Sequence, residues 1–123
     1  MAKTVLDVGN CAPDFTAIKR YLSSHFDCEV LQADAADDAL AALRAQQVDL
    51  ITVNRKLDCD YSDGLEVIRQ IKADPELKDV PVMLITNYPE HQEAAIAFGA
   101  VRGFGKLEYG KPETLERLKP ILG

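Results

Sequence analysis

The chain has 123 residues, enough for one compact domain and too few for two ordinary ones. Its apolar fraction of 47% and charged fraction of 28% fit a globular protein with a sizeable core. A net charge of −6 argues against a direct nucleic-acid surface or attachment to an anionic membrane, and no apolar run reaches the length of a membrane span.

The opening Met1-Ala2-Lys3-Thr4 has no signal-peptide core behind it. Three cysteines, Cys11, Cys28 and Cys59, are too few and odd in number for a disulfide framework, so a reducing cytoplasm is the expected compartment. Val5 to Val8 reads as a first strand. Phe15, Ile18 and Leu22 follow on one helix face. Cys28 to Leu31 is a second strand, and Ala36, Ala39, Leu40 and Leu43 mark a second helix with Asp34 as its expected N-cap. Asp49 to Val53 is a third strand. After an Asp-rich loop, Leu65, Ile68 and Ile71 define a third helix, with Asp63 and Glu66 at capping-box spacing. Val80 to Thr86 holds the clearest strand; a helix of about Glu90 to Phe98 and a weak strand, Val101 to Phe104, come next. Pro112 and Glu113 open a last helix carrying Leu115, Leu118 and Leu122, in which Pro120 should fray or kink the final turn.

Strands alternating with helices predict an α/β fold: a five-stranded parallel sheet covered on both faces by five helices, a three-layer sandwich in a single domain over residues 1–123. The flavodoxin-like order 2-1-3-4-5 is the expected topology, and chemistry in such sheets sits at the carboxyl ends of the strands. The residues that follow Val8, Val53, Ile85 and Phe104 are therefore the ones to inspect.

Val80-Pro81-Val82-Met83-Leu84-Ile85-Thr86, then Phe98-Gly99-Ala100, then Lys106 run in order along the chain, behind Asp34 to Leu40 and Asp49 to Asn54 with Asp63-Gly64. Together these resemble the CheY-like receiver family of two-component signalling, over essentially the whole length. The resemblance implies a site in which a carboxylate ending strand three attacks phosphorus. Two acids after strand one help hold Mg²⁺, and a hydroxyl and a lysine clamp the phosphoryl oxygens. On that pattern Thr86 and Lys106 are retained. The acidic pair falls on Gly9 and Asn10, and the nucleophile position on Asn54, whose carboxamide is neutral and no useful nucleophile. Mg²⁺ binding is expected to be weak or absent, leaving no cofactor. The aromatic switch position falls on Gly103, with Phe104 or Tyr109 as alternative rings; the proline expected after the lysine is Leu107; the loop from Asn54 to Gly64 is two residues longer than usual.

Other constellations are weaker. Asp58, Asp60 and Ser62 imitate the start of a calcium loop, but Asp63 and Arg69 stand where Gly and Glu are needed. A solvated acidic loop is the simpler account; Asp58 or Asp60 folding back to replace the lost acids is the other. Gly105-Lys106 lacks the hydroxyl residue of a phosphate loop. Cys11 and Cys59 share the pocket end as ordinary thiols or as a redox pair. His25 and His91 pair with no Ser or Cys motif, so no enzyme is expected. Asp7 interrupts a strand expected to be buried; it lies two residues before Gly9 as Thr52 lies two before Asn54, so a buried Asp7–Thr52 hydrogen bond is expected.

The resemblance and its defects predict an atypical, stand-alone receiver, not phosphorylated, that acts by protein–protein contact. A protein partner or a second copy would dock on the helix 4–strand 5–helix 5 face, with Arg102, Glu108 and Tyr109 as contacts. Three alternatives stay open: anion or phosphometabolite sensing by Lys106 and Thr86, phosphorylation of an Asp in the 58–63 loop, and drift in a domain whose fold alone is needed.

Overall fold

The computed structural model describes residues 2–123. Ten elements alternate along the chain: β1 (Lys3–Val8), α1 (Ala12–His25), β2 (Cys28–Ala33), α2 (Ala36–Ala45), β3 (Leu50–Asn54), α3 (Gly64–Ala73), β4 (Val82–Ile85), α4 (Pro89–Ala97), β5 (Val101–Phe104) and α5 (Pro112–Leu122). The strands form one parallel sheet in the order β2-β1-β3-β4-β5, as the alternation predicts.

Successive strand residues face opposite sides of the sheet, so one sheet builds two cores. Leu6, Val8, Ile51, Val53, Val82 and Leu84 pack with Leu43 of α2, Val67, Ile68 and Ile71 of α3, and Ala95 of α4. Val5, Leu50, Met83, Ile85 and Phe104 pack with Ile18, Tyr21 and Leu22 of α1, and Leu118 and Leu122 of α5. The first core is aliphatic. The second gathers the inward-facing rings: Tyr21 and Phe104, with Phe15, Phe26 and Tyr109 at its edge. Each fully buried aliphatic or aromatic side chain contributes roughly 1.5–3 kcal/mol against the entropy of ordering the chain.

Several local expectations meet corrections. Asp34 does not cap α2. The N-cap is Ala35, without a side-chain hydrogen bond, while the Asp34 N–H is itself taken by Asp38 Oδ2 at 3.4 Å. Asp63 does cap α3, accepting from Leu65 N at 2.9 Å, but Glu66 turns along the helix to Arg69 and does not close the box. The last helix runs through Pro120 to Leu122. The carbonyl that Pro120 leaves without a donor belongs to Glu116, an exposed residue at which solvent can take the place of the lost amide.

Between β4 and β5 the ladder slips: Met83 pairs with Val101 and Ile85 with Phe104, so Arg102 and Gly103 of β5 lie opposite Leu84 alone. The amide of Gly103, inside the slip, donates to Gln92 Oε1 of α4 at 2.9 Å. Gln92 Nε2 in turn donates to the carbonyls of Leu84 (2.9 Å) and Thr86 (3.3 Å). A single buried side chain therefore ties α4 to β4 and to the edge strand β5.

Candidate functional site

The loops after β1, β3, β4 and β5 meet at the carboxyl end of the sheet, where the fold places ligand chemistry. Gly9 follows β1 with φ +84°, a conformation that favours glycine. Its carbonyl accepts the amide of Asp58 at 2.8 Å, which draws the long loop after β3 back over it. A Cβ on Gly9 would lie 2.3 Å from Leu57 Cδ2, and Leu57 is 2% exposed. An apolar side chain thus fills the space into which an acid at position 9 would project. The loop returns its backbone and Leu57 to this end of the sheet, while Asp58 and Asp60 stay exposed. Asp60 Oδ1 accepts the Ser62 amide at 2.9 Å, and bonding to Ser62 holds its carboxyl below the usual range.

Asn10 is buried, and its Nδ2 donates to both oxygens of Asp7 at 2.9 Å. Its Oδ1 is enclosed and has no hydrogen-bond partner. Asp7 and Thr52 are register partners across β1 and β3, and Thr52 Oγ1 donates to Asp7 Oδ1 at 2.8 Å, the bond expected from their positions. Burial pushes the Asp7 carboxyl above its ordinary value; the bonds from Asn10 and Thr52 oppose that shift without cancelling it.

Asn54 ends β3. Its Nδ2 donates to the Lys56 carbonyl at 2.7 Å and reaches the Gly9 carbonyl at 3.5 Å. Thr86 follows β4 and is buried; its hydroxyl accepts the Tyr88 amide at 3.3 Å and lies 3.4 Å from His91 Nδ1. The ring that meets Thr86 is therefore an imidazole from α4. Phe104 and Tyr109 turn toward the other core, where Tyr109 lies 4.7 Å from Tyr21 and 6.0 Å from Phe104, centroid to centroid. Burial, reinforced by the charges of Asp7 and Asp14, pushes the Tyr109 phenol up to about 12.

Lys106 follows β5 and gives its ammonium to Asp14 Oδ2 at 2.7 Å. That bond holds the Asp14 carboxyl below its usual value. Asp14, in the first turn of α1, is the acid that sequence reasoning missed. It lies 92 positions from Lys106, and no motif spacing joins them. Asn87 bridges two loops by accepting the Leu107 amide at 3.1 Å.

Arg102 is exposed and pairs with Glu93 at 3.3 Å, whereas Glu108 and Tyr109 are half-buried. Glu108 accepts the Gly105 amide at 2.9 Å. All three cysteines are free thiols; Cys59 is exposed, and desolvation together with the Asp60 charge raises its thiol above the ordinary value, away from a reactive thiolate. Among the described residues, no group of three or more His, Cys, Asp or Glu side chains is placed to hold a metal ion, and no helix is long and apolar enough to cross a membrane.

These features, a parallel sheet in this order with Thr86 and Lys106 at its carboxyl end, coincide with a match to the response regulator receiver domain over residues 13–119. The chain belongs to that family, the receivers of two-component signalling. Its fold is also that of solved response regulators. The chemotaxis protein CheY4 of Vibrio cholerae is 22% identical with a TM-score of 0.77, over 99% of this chain and 100% of that one. A response regulator receiver protein from Pseudomonas putida is 23% identical with a TM-score of 0.79, over 98% of both chains. NtrX from Brucella abortus is 28% identical with a TM-score of 0.73, covering 86% of this chain and 24% of that one. No curated protein matches the chain.

Proposed function

We propose that this receiver domain has given up phosphoryl chemistry and signals by protein contact in one fixed conformation. The observation that carries the proposal is Asn54: a neutral carboxamide stands where β3 ends, hydrogen-bonded to the Lys56 carbonyl. Lys106, the retained cation, is already neutralised by Asp14.

The residues present do not suit Mg²⁺. Gly9 offers no side chain and is covered by Leu57, and Asn10 turns its amide to Asp7. Mg²⁺ needs oxygen ligands in near-octahedral array, usually with a carboxylate among them. Asp58 and Asp60, the candidates in the long loop, lie on the solvent side of it.

The surface formed by α4, β5 and α5 is the proposed contact face for a protein partner or a second copy. Ile96, Val101 and Leu107 are 39%, 41% and 81% exposed, with Arg102 among them. Single exposed apolar residues are ordinary, but several on one face mark an interaction surface.

The test is an amide NMR titration with Mg²⁺ and then beryllofluoride, a mimic of the aspartyl phosphate. Silent spectra around Gly9, Asn54, Thr86 and Lys106, with unchanged intact mass after treatment with a small phosphodonor, are expected. Saturable shifts spreading into α5, or added phosphate on Asp58 or Asp60, would overturn the proposal.

A further inference from the structure

α4 is a helix of 9 residues held by few contacts. It buries Gln92 and Ala95 and no large apolar side chain, and its N-cap, Tyr88, makes no side-chain capping bond. The Thr86 hydroxyl stands in for a cap by accepting the Tyr88 amide at 3.3 Å. That leaves the hydroxyl's one proton for Nδ1 of His91, 3.4 Å away in the first turn of α4. An imidazole that accepts there is neutral and carries its own hydrogen on Nε2.

Protonation removes this arrangement. Both ring nitrogens then carry hydrogen, and the Thr86 proton loses its acceptor in a residue only 7% exposed. The surroundings do not compensate the new charge. Arg55 and Lys56, from the loop after β3, line the same cleft as the ring, as does Lys106, from the loop after β5; among the described residues no carboxylate lines it. Lys106 is paired with Asp14, and Tyr88 presents its ring edge-on at 5.5 Å. Glu90, one position before His91, is exposed and faces another side of the helix. The first turn of a helix is also where a cation is disfavoured, because the free N–H groups point there. The cleft is open, about 350 Å³, so the ring has room to swing away.

We infer that His91 makes α4 a proton-responsive element: the neutral imidazole ties its first turn to β4 through Thr86, and the protonated one releases it. The release reaches the next residue. Gln92 Nε2 holds the Thr86 carbonyl at 3.3 Å and Gln92 Oε1 takes the Gly103 amide at 2.9 Å, so a looser first turn loosens the joint between α4 and β5. The topology stays as it is; what changes is how firmly one turn is held. Histidine is the side chain that changes charge between about pH 5 and pH 8, so the turn is firm at the upper end of that range and loose at the lower. The use of this in signalling rests on the contact face proposed above, of which α4 is a part; the tie between His91 and Thr86 stands without it.

The experiment is a pH series of ¹H–¹⁵N spectra of the intact chain, from about pH 8 to about pH 5, with the imidazole resonances followed in parallel. The amides of Tyr88, Gln92 and Gly103 are expected to shift together with the His91 ring. Exchange protection at Gln92 and Gly103, corrected for the intrinsic rate, should fall about fivefold, the worth of one hydrogen bond. Thr86→Val keeps the branch at Cβ and removes the hydroxyl, so the His91 ring should still titrate while the α4 amides no longer follow it. His91→Phe should abolish the dependence, and His25→Gln, at the exposed end of α1, should leave it intact. Amides that stay still beside a titrating His91 would overturn the inference, as would a dependence that survives His91→Phe. Each reading is made on the chain without a partner, so failure of the tie and failure of the contact face are told apart.

Discussion

Asp7 is a carboxylate in mid-sheet, fully enclosed, with Thr52 and Asn10 as its hydrogen-bond donors. Its carboxyl is raised above the unfolded value, so its contribution to stability is best below about pH 4 and is lost as pH rises through the raised folded value. Asp7→Asn should therefore stabilise the domain at pH 7 by about 1 kcal/mol in urea unfolding, with the gain shrinking toward pH 4. Asp14 is the opposite case, since its carboxyl is lowered by Lys106. Its contribution is present above the ordinary carboxylate range and lost as pH falls through the folded value. Both partners are partly exposed, at 32% and 42%, so Asp14→Asn should cost only about 0.5 kcal/mol. The Asp7–Thr52 bond was legible in the sequence because parallel strands in register bring equivalent depths together. Asn10 was legible as a site position, but its bonds to Asp7 were not, nor was Asp14: a turn and a helix face aim those side chains, and neither leaves a spacing signature.

Elements with strong periodicity declared themselves, whereas their ends and junctions did not. Asp34 has the right chemistry for a cap, but the chain enters α2 one residue later. Nor did the sequence disclose that Gln92 joins α4 to β4 and β5, because a polar residue on a short Ala-rich helix reads as solvent-facing. Gln92→Leu would strand the Gly103 amide and should cost about 2 kcal/mol, with selective loss of exchange protection in β5. Gly103→Tyr, which restores a ring at the family's aromatic position, should cost about 2 kcal/mol instead of restoring a switch. A Cβ there would lie 2.4 Å from the Leu84 carbonyl oxygen. Leu57→Ala should cost about 2–4 kcal/mol in urea unfolding, the range for truncating a buried leucine. A smaller loss would mean that Leu57 is not a packed plug over Gly9.

At the scale of the molecule, topology was the most legible property. Runs of period two alternating with period 3.6 leave few parallel arrangements, and short connections choose among them. Which donors are free at the carboxyl end was hidden, since that depends on pairings such as Lys106 with Asp14 that only the folded chain makes. The division of the interior into an aliphatic face and an aromatic face has a practical result. The chain has no tryptophan, and the rings packed in its interior lie on the α1 and α5 side of the sheet. Tyr61 and Tyr88 stand in solvent. Near-ultraviolet circular dichroism is thus a one-sided optical label, sensing the α1 and α5 layer and almost blind to the other, while far-ultraviolet dichroism sees both. If the two signals melt together, the sheet couples its two faces into one cooperative unit; if the near-ultraviolet signal fades first, the layer that carries Asp14 and its tether to Lys106 peels away before the rest.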